Sequence, residues 1–194
     1  MKGALTCDIV SAMTTLAAPD TKFHALLQDQ IRSEFNASQQ YVAIAVHFDG
    51  ADLPQLARLF YAQAVEERNH AMMLVQYLLD RDVPVEIPGV DPVCNTFATP
   101  HDAIALALKL EREVSDQFGR LAATARDEGD YFGEQFIQWF LAEQVEEVAR
   151  MSTLLRVAER AGTDLFRLED FVAREMTPPT TGPTAPKAAG GALG

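Results

Sequence analysis

Apolar residues recur at alternating steps of three and four in four long segments of this chain. This spacing is typical of helices that pack side by side in a bundle. In the second segment the pattern runs from Leu56 to Tyr77. We predict one helix for each segment, and together they cover residues 21–47, 54–80, 100–126 and 131–160. The predicted fold class is therefore all-α.

The lengths of the connections predict how the helices are arranged. Residues 49–53 and 128–130 are short turns, so each joins two antiparallel neighbours. The connection over residues 81–99 is much longer. Extended chain of that length spans up to about 60 Å, whereas a helix of about 28 residues is only about 42 Å long. The third helix can therefore start parallel to the second. A short fifth helix is expected from Thr163 or Asp164 to about Ala173.

Polar residues interrupt the apolar stripe near the middle of each long helix. In a bundle of equal helices these positions lie at one level, so their side chains should meet in the core. Burying carboxylates costs several kcal/mol unless a cation pairs with them. We predict a metal site here, and the alternative is a buried hydrogen-bond network. The residues are Glu34, Glu67, His70, Glu111, Gln144 and Glu147.

Glu67 and His70 form a Glu-x-x-His pair whose side chains share one face of the helix. Such a pair is the half-site of di-iron centres in helical bundles, although alone it also occurs in solvated acidic turns. Carboxylates with one imidazole and no thiolate suit iron or manganese better than structural zinc. Glu67 is central in the set and is the natural bridge between two ions. Two Fe(II) ions held in this way can pass two electrons to dioxygen.

Three stretches of the sequence resemble the ferritins, specifically the bacterial non-haem ferritins, and the resemblance extends from residue 21 to about 175. They read EFNASQQY at 34–41, EERNHA at 66–71 and QWFLAEQVEE at 138–147. The resemblance implies a ferritin-like four-helix bundle with a long crossover between its second and third helices. It also implies oxidation of Fe(II) by dioxygen, storage of iron as ferric oxide mineral, and a hollow homo-oligomeric shell of 24 subunits.

The resemblance assigns roles to individual residues. Glu34, Glu67, His70 and Glu111 are similar to the ligands of the two ferroxidase irons. Gln144 matches the glutamine beside the second iron, and Tyr41 matches the tyrosine of the site. A third iron position is expected among four acids, of which the three on the fourth helix would otherwise form a solvated face. These acids are Glu66, Glu143, Glu146 and Glu147.

Two departures from the haem-containing bacterioferritins lead us to predict no haem. Those proteins carry a second Glu-x-x-His on the fourth helix, where this chain reads QVEE at residues 144–147. They also place a haem-ligating methionine directly after the bridging glutamate, and Arg68 occupies that position here.

The amino-acid composition limits which partners the protein can bind and in which cellular compartment we expect it. A net charge of −12 argues against a nucleic-acid partner, which requires basic patches. No apolar run in the sequence approaches the roughly 18 residues of a membrane span, so no membrane partner is expected. Two cysteines, Cys7 and Cys94, form no disulfide framework and suit a reducing cytosol. We therefore expect a cytoplasmic protein.

The two ends of the chain differ from the ferritin-like domain at residues 21–175. Residues 1–20 are expected to form a loose N-terminal extension. From Thr177 onward, 16 of 18 residues are Thr, Pro, Gly or Ala, so we predict a disordered tail over residues 176–194. This tail is either a docking peptide for a larger compartment or merely solvated. The apolar residues of the fifth helix are expected to contact other subunits. They are Leu165, Phe166, Leu168 and Phe171.

Two other functions fit the same residues. One is a soluble di-iron oxidoreductase acting on an organic substrate, which needs a substrate channel into the bundle. The other is a structural bundle with a polar core and no metal.

Overall fold

The computed structural model describes residues 21–177, 182 and 184–193. Their secondary structure is helical, and no strand occurs among them. The helices are α1 (Lys22–Asp49), α2 (Pro54–Asp80), α3 (Pro100–Asp127), α4 (Tyr131–Ala161) and α5 (Leu165–Glu175). None of the helices in this part of the chain is long and apolar enough to cross a membrane. The predicted N-terminal extension, residues 1–20, lies outside the described residues.

Two apolar clusters at opposite ends of the bundle establish its topology. One joins the end of α1 to the starts of α2 and α3 and the end of α4, with Phe48, Phe60 and Ile104 among its members. The other joins the start of α1 to the ends of α2 and α3 and the start of α4, and includes Phe23 and Phe118. Thus α1 is antiparallel to α2, α3 is parallel to α2, and α4 is antiparallel to α3. The predicted four-helix bundle with a long crossover is confirmed.

Local sequence signals explain where the helices begin. The Thr21 hydroxyl accepts a hydrogen bond from His24 N at 3.1 Å and caps α1. The carboxylate of Glu128 accepts two more N–H groups of that first turn, from Lys22 at 3.0 Å and Phe23 at 3.1 Å. At α3, Thr99 and Asp102 form a capping box. These bonds satisfy N–H groups that have no partner within their own helix.

The crossover at residues 81–99 is tied to α1 along one face. Gln28, Asn36 and Gln40 each use their amide both to donate to this segment and to accept from it. Gln40, for example, bonds both Cys94 N and Cys94 O at 2.8 Å. Arg32 adds an ion pair to Asp91 at 2.6 Å. These α1 residues lie four apart, so they form one stripe that fixes a segment without secondary structure.

Helix α5 packs on its own bundle. The Glu169 carboxylate accepts the N–H groups of Gln55 at 2.8 Å and Leu56 at 2.9 Å, at the start of α2. Leu168 is 1% exposed within this chain, so its apolar side chain is already covered. The expectation that Leu168 contacts other subunits therefore does not hold. Phe166 is 88% exposed, and for this residue the expectation stays a prediction.

The described part of the tail lies against α2, which differs from the disorder that its composition predicts. Ala189 N donates to Met72 O at 2.9 Å. Leu193 exchanges two hydrogen bonds of 2.9 Å with the Asn69 side chain. The small side chains of the tail let its backbone approach α2 and form hydrogen bonds with it. A prediction of disorder from low hydrophobic content does not take such backbone hydrogen bonds into account. Alanines 185, 188 and 189 also pack against the apolar cluster at this end.

Candidate metal centre

The polar positions of the four long helices meet between the two apolar clusters. They are contributed by every long helix and are almost fully buried. The exposed fractions are 0% for Glu34, 1% for Glu67, 1% for His70, 2% for Glu111, 3% for Gln144 and 1% for Glu147. The helical spacing alone places these side chains on the inner faces, and the equal lengths of the helices bring them to one level.

Glu34, Glu67 and His70 form a compact set of metal-binding groups. Each offers one ligand atom, and the three atoms lie within 4.8 Å of one another. His70 Nδ1 lies 3.1 Å from Glu67 Oε2, and Gln30 donates to Glu34 Oε1 at 2.7 Å. The second oxygen of Glu34 is buried and has no hydrogen-bond partner among the described residues. A buried carboxylate oxygen without a donor is a ready acceptor for a cation.

Glu111 faces this set from α3 and is held by Tyr41. The Tyr41 hydroxyl donates a short hydrogen bond to the Glu111 carboxylate. The Glu111 carboxylate raises the already elevated pKa of buried Tyr41, so this hydroxyl keeps its proton. Tyr41 therefore orients the carboxylate rather than competing with it for a cation.

Ser115 connects Gln144 on α4 to the backbone of Glu111 on α3. The Ser115 hydroxyl contacts Glu111 O at 2.7 Å and Gln144 Oε1 at 2.9 Å. Gln144 Nε2 is buried and has no hydrogen-bond partner in the described ranges. A serine hydroxyl has one proton and cannot donate to both oxygens. Exchanging the amide oxygen and nitrogen lets Ser115 accept from Gln144 and donate to Glu111 O. The Gln144 oxygen then becomes free to bind a cation.

The sequence analysis did not assign Gln63 and Arg150 to the site. Gln63 Nε2 donates to Glu67 Oε1 at 3.0 Å and to Glu147 Oε2 at 2.7 Å, so it links α2 to α4. Arg150 donates a short hydrogen bond to Glu147, and its Nη1 lies 3.7 Å from Glu66 Oε2. Gln63 is a polar residue on the apolar stripe of α2, and Arg150 follows Glu147 by three positions. Both signals were visible in the sequence.

The four acids expected at a third position are only partly brought together. Glu66 is 8% exposed and shares a narrow gap with His70, Trp139 and Glu143. Glu147 is buried and bonded to Arg150, whereas Glu146 is exposed. Within the described ranges, no cluster of ligand atoms other than Glu34, Glu67 and His70 is compact enough for a metal.

Burial and mutual repulsion favour the protonated form of several of these carboxyl groups in the metal-free protein. Burial, and then the charge of Glu67, raises the pKa of Glu34 and of Glu111 well above its usual range. Burial and the charge of Glu147 raise the pKa of Glu66 to about 8. Burial lowers the pKa of His70, but the hydrogen bond and charge of Glu67 outweigh it and raise that pKa to about 10. The single imidazole of His70 cannot balance all of these carboxylates when they ionise, and divalent cations can supply the remaining positive charge.

These shifts predict how the stability of the metal-free protein depends on pH. The pKa of Glu66 is raised, so between about pH 4.5 and 8 the folded state binds more protons than the unfolded state, and stability falls as pH rises. Glu66→Gln removes this contribution, so wild type should lose up to about 1.4 kcal/mol more per pH unit than the variant. Urea unfolding of metal-free samples between pH 5 and 8 measures both slopes. Parallel slopes would contradict the buried state of this carboxyl group.

Comparison with known proteins places the chain in a family. It matches the family model of the ferritin-like domain over residues 24–161. It is 75% identical to Ferritin BfrB of Mycolicibacterium smegmatis, over 93% of this chain and 100% of that protein. It is 67% identical to Bacterioferritin BfrB of Mycobacterium tuberculosis, with the same coverage. A solved humanized archaeal ferritin superposes with a TM-score of 0.77 at 25% identity, over 81% of this chain and 98% of that structure. The family match covers most of the chain and includes all four helices of the centre, so the chain belongs to the ferritin family.

Proposed function

We propose that this protein stores iron, and that it oxidises Fe(II) with dioxygen at a di-iron centre in each subunit. Ferric oxide mineral then accumulates inside a shell of 24 copies. The observation that carries the proposal is the buried cluster of Glu34, Glu67 and His70, with Glu111 facing it from α3. Membership of the ferritin family supports iron storage as the overall function.

The contacts support a separate role for each residue. Glu67 directs one oxygen to His70 and the other to Gln63, so its carboxylate faces two sides of the centre. This orientation suits a bridge between two Fe(II) ions, with Glu34 and His70 on the first. Glu111 and the Gln144 oxygen then belong to the second ion. The substrate ions supply positive charge that favours ionised carboxylates, so their binding releases protons.

The ligand chemistry supports iron as the substrate. Carboxylate oxygens and one imidazole nitrogen without a thiolate suit Fe(II), and a paired site delivers two electrons to one dioxygen molecule. The narrow gap next to Glu66 and His70 has no room for a water-sized sphere. An organic substrate could not reach His70 through this gap, which supports oxidation of iron over the alternative of an oxidoreductase with an organic substrate.

The proposal includes no haem and a cytoplasmic location. Arg68 follows the bridging Glu67 and presents a cationic guanidinium, which cannot ligate haem iron. One nitrogen of Arg68 is buried, so the side chain fills space at this position. The relative from Mycobacterium tuberculosis is named a bacterioferritin, and Arg68 argues against a haem site of that kind here. The composition with two cysteines supports a reducing compartment.

Particle size and aerobic Fe(II) oxidation test the proposal together. We expect a particle near half a megadalton, which is roughly 24 times the 21.3 kDa chain, and rapid oxidation of two Fe(II) per subunit in the first turnover. Glu113→Ala is a matched control, because Glu113 is an exposed glutamate of α3 whose ion-pair partner among the described residues is Lys109. This variant should oxidise iron at the wild-type rate. A dimer that oxidises no iron would contradict the proposal.

A further inference from the structure

Arg150 lies among the acids that border the di-iron centre. Its Nη1 contacts Glu147 closely, lies 3.4 Å from Gln63 Oε1 and lies 3.7 Å from Glu66 Oε2. Glu66 lies on α2 and Glu147 on α4. Burial, followed by the charge of Glu147, raises the pKa of Glu66. One guanidinium therefore serves two carboxylates that belong to different helices.

The other cationic group at this place is already engaged. His70 is bonded to Glu67 and faces the di-iron centre. Glu66 Oε2 is buried and accepts no hydrogen bond from the described residues. The Arg150 guanidinium lies 3.7 Å from this oxygen. A metal ion bound by Glu66 and Glu147 would occupy the same small region as Arg150 Nη1. Two like charges cannot share it without strong repulsion.

We propose that Arg150 is an internal counter-ion that occupies the position of a third cation in the metal-free protein and has to be displaced when a third metal ion binds. This inference rests on the proposed function, because the third ion is an iron ion on its way between the di-iron centre and the mineral. Arg150 acts through Glu66 and Glu147, so it is a positioning residue. Because Arg150 has to be displaced, the third site binds its metal ion weakly and exchanges it quickly.

The surroundings of Arg150 permit this displacement. Its side chain is 21% exposed, so part of the guanidinium already reaches the surface of the bundle. A long, flexible side chain can swing outward while its α4 backbone stays in place. Glu146 precedes Arg150 by four residues and is exposed on α4, so it can pair with the displaced guanidinium one turn away.

Calorimetric titration of the full-length, metal-free protein with Zn²⁺ tests this role, since Zn²⁺ is redox-inert and no mineral forms. Wild type should bind two Zn²⁺ ions tightly and a third weakly. In Arg150→Gln the third ion should bind at least about tenfold more tightly, because a like charge has been removed, while the first two affinities change less than about twofold. Arg156→Gln is the matched control, since Arg156 is exposed on the same helix and, within the described part of the chain, its side chain bonds Thr153.

Two further variants separate displacement from a merely structural role. Arg150→Lys keeps the positive charge without the planar fork, so its third affinity should stay near that of wild type. Adding Glu66→Gln to Arg150→Gln should remove the gain, because an acid of the third site is lost. The proposal is overturned if Arg150→Gln leaves the third affinity unchanged, or if all three affinities fall together. If wild type binds no pair of Zn²⁺ ions tightly, the proposed function fails instead.

Discussion

Glu67→Ala is expected to lower aerobic Fe(II) oxidation by at least about 100-fold and to leave the assembled particle intact. Replacing partners of metal ligands already costs about 10- to 100-fold, and the loss of a ligand shared by two ions should cost more. The bundle should survive, because apolar clusters on both sides of the centre stay complete. Stopped-flow absorbance of the ferric product measures the rate, and size exclusion measures the particle.

Glu67→Gln separates the loss of charge from the loss of volume. The amide has nearly the same shape as the carboxylate, so it leaves no cavity, but it cannot bridge two cations through two anionic oxygens. Both variants should therefore be inactive in the first turnover, and Glu113→Ala should not. Wild-type oxidation rates in either Glu67 variant would refute the assignment of the bridge.

Glu111→Ala is expected to have the second largest effect on Fe(II) oxidation, because it should weaken the binding of one ion of the pair and leave the other bound. Glu34, Glu67 and His70 stay within 4.8 Å of one another, so one ion keeps its ligands. The other ion loses Glu111, which Tyr41 holds in place. The variant should bind one Zn²⁺ ion tightly where wild type binds two, and Fe(II) oxidation should fall at least about tenfold because one ion supplies only one electron.

Calorimetric titration counts the Zn²⁺ ions that Glu111→Ala binds, and the same titration of Tyr41→Phe serves as the comparison. Tyr41→Phe removes the hydrogen bond that orients Glu111 but keeps the carboxylate, so it should retain two ions with weaker binding of the second. Two tightly bound ions in Glu111→Ala would mean that Glu111 does not belong to the centre.

The arrangement of the bundle could be predicted from the sequence because it depends on periodicity and connection length. The polar residues on the stripe of each helix fall at one level, and the length of residues 81–99 allows a crossover. Glu34, Glu67 and His70 meet for this reason. The metal assignment of these residues stays a prediction until ions are counted.

Other features depend on three-dimensional details that periodicity does not carry. Gln63 reaches from α2 to Glu147, and Arg150 reaches from α4 to Glu66. The sequence places both residues near the centre, but these contacts between helices also depend on side-chain rotamers. Exposure likewise separates Glu146 from Glu147, although both are acids at adjacent positions on α4. The tail contacts of Asn69 use backbone groups of Leu193, and these groups are the same in every sequence.

The position of the tail on α2 has a consequence for any larger compartment that recognises it. A receptor that binds residues 184–193 as an extended peptide competes with Met72 and Asn69 for the backbone groups of Ala189 and Leu193. Only the detached fraction of tails is free to engage such a receptor. If attached tails outnumber detached tails by about ten to one, the affinity of a single tail falls by about the same factor. A shell carrying many identical tails offsets that loss through avidity, so capture by a receptor would favour assembled particles over single subunits.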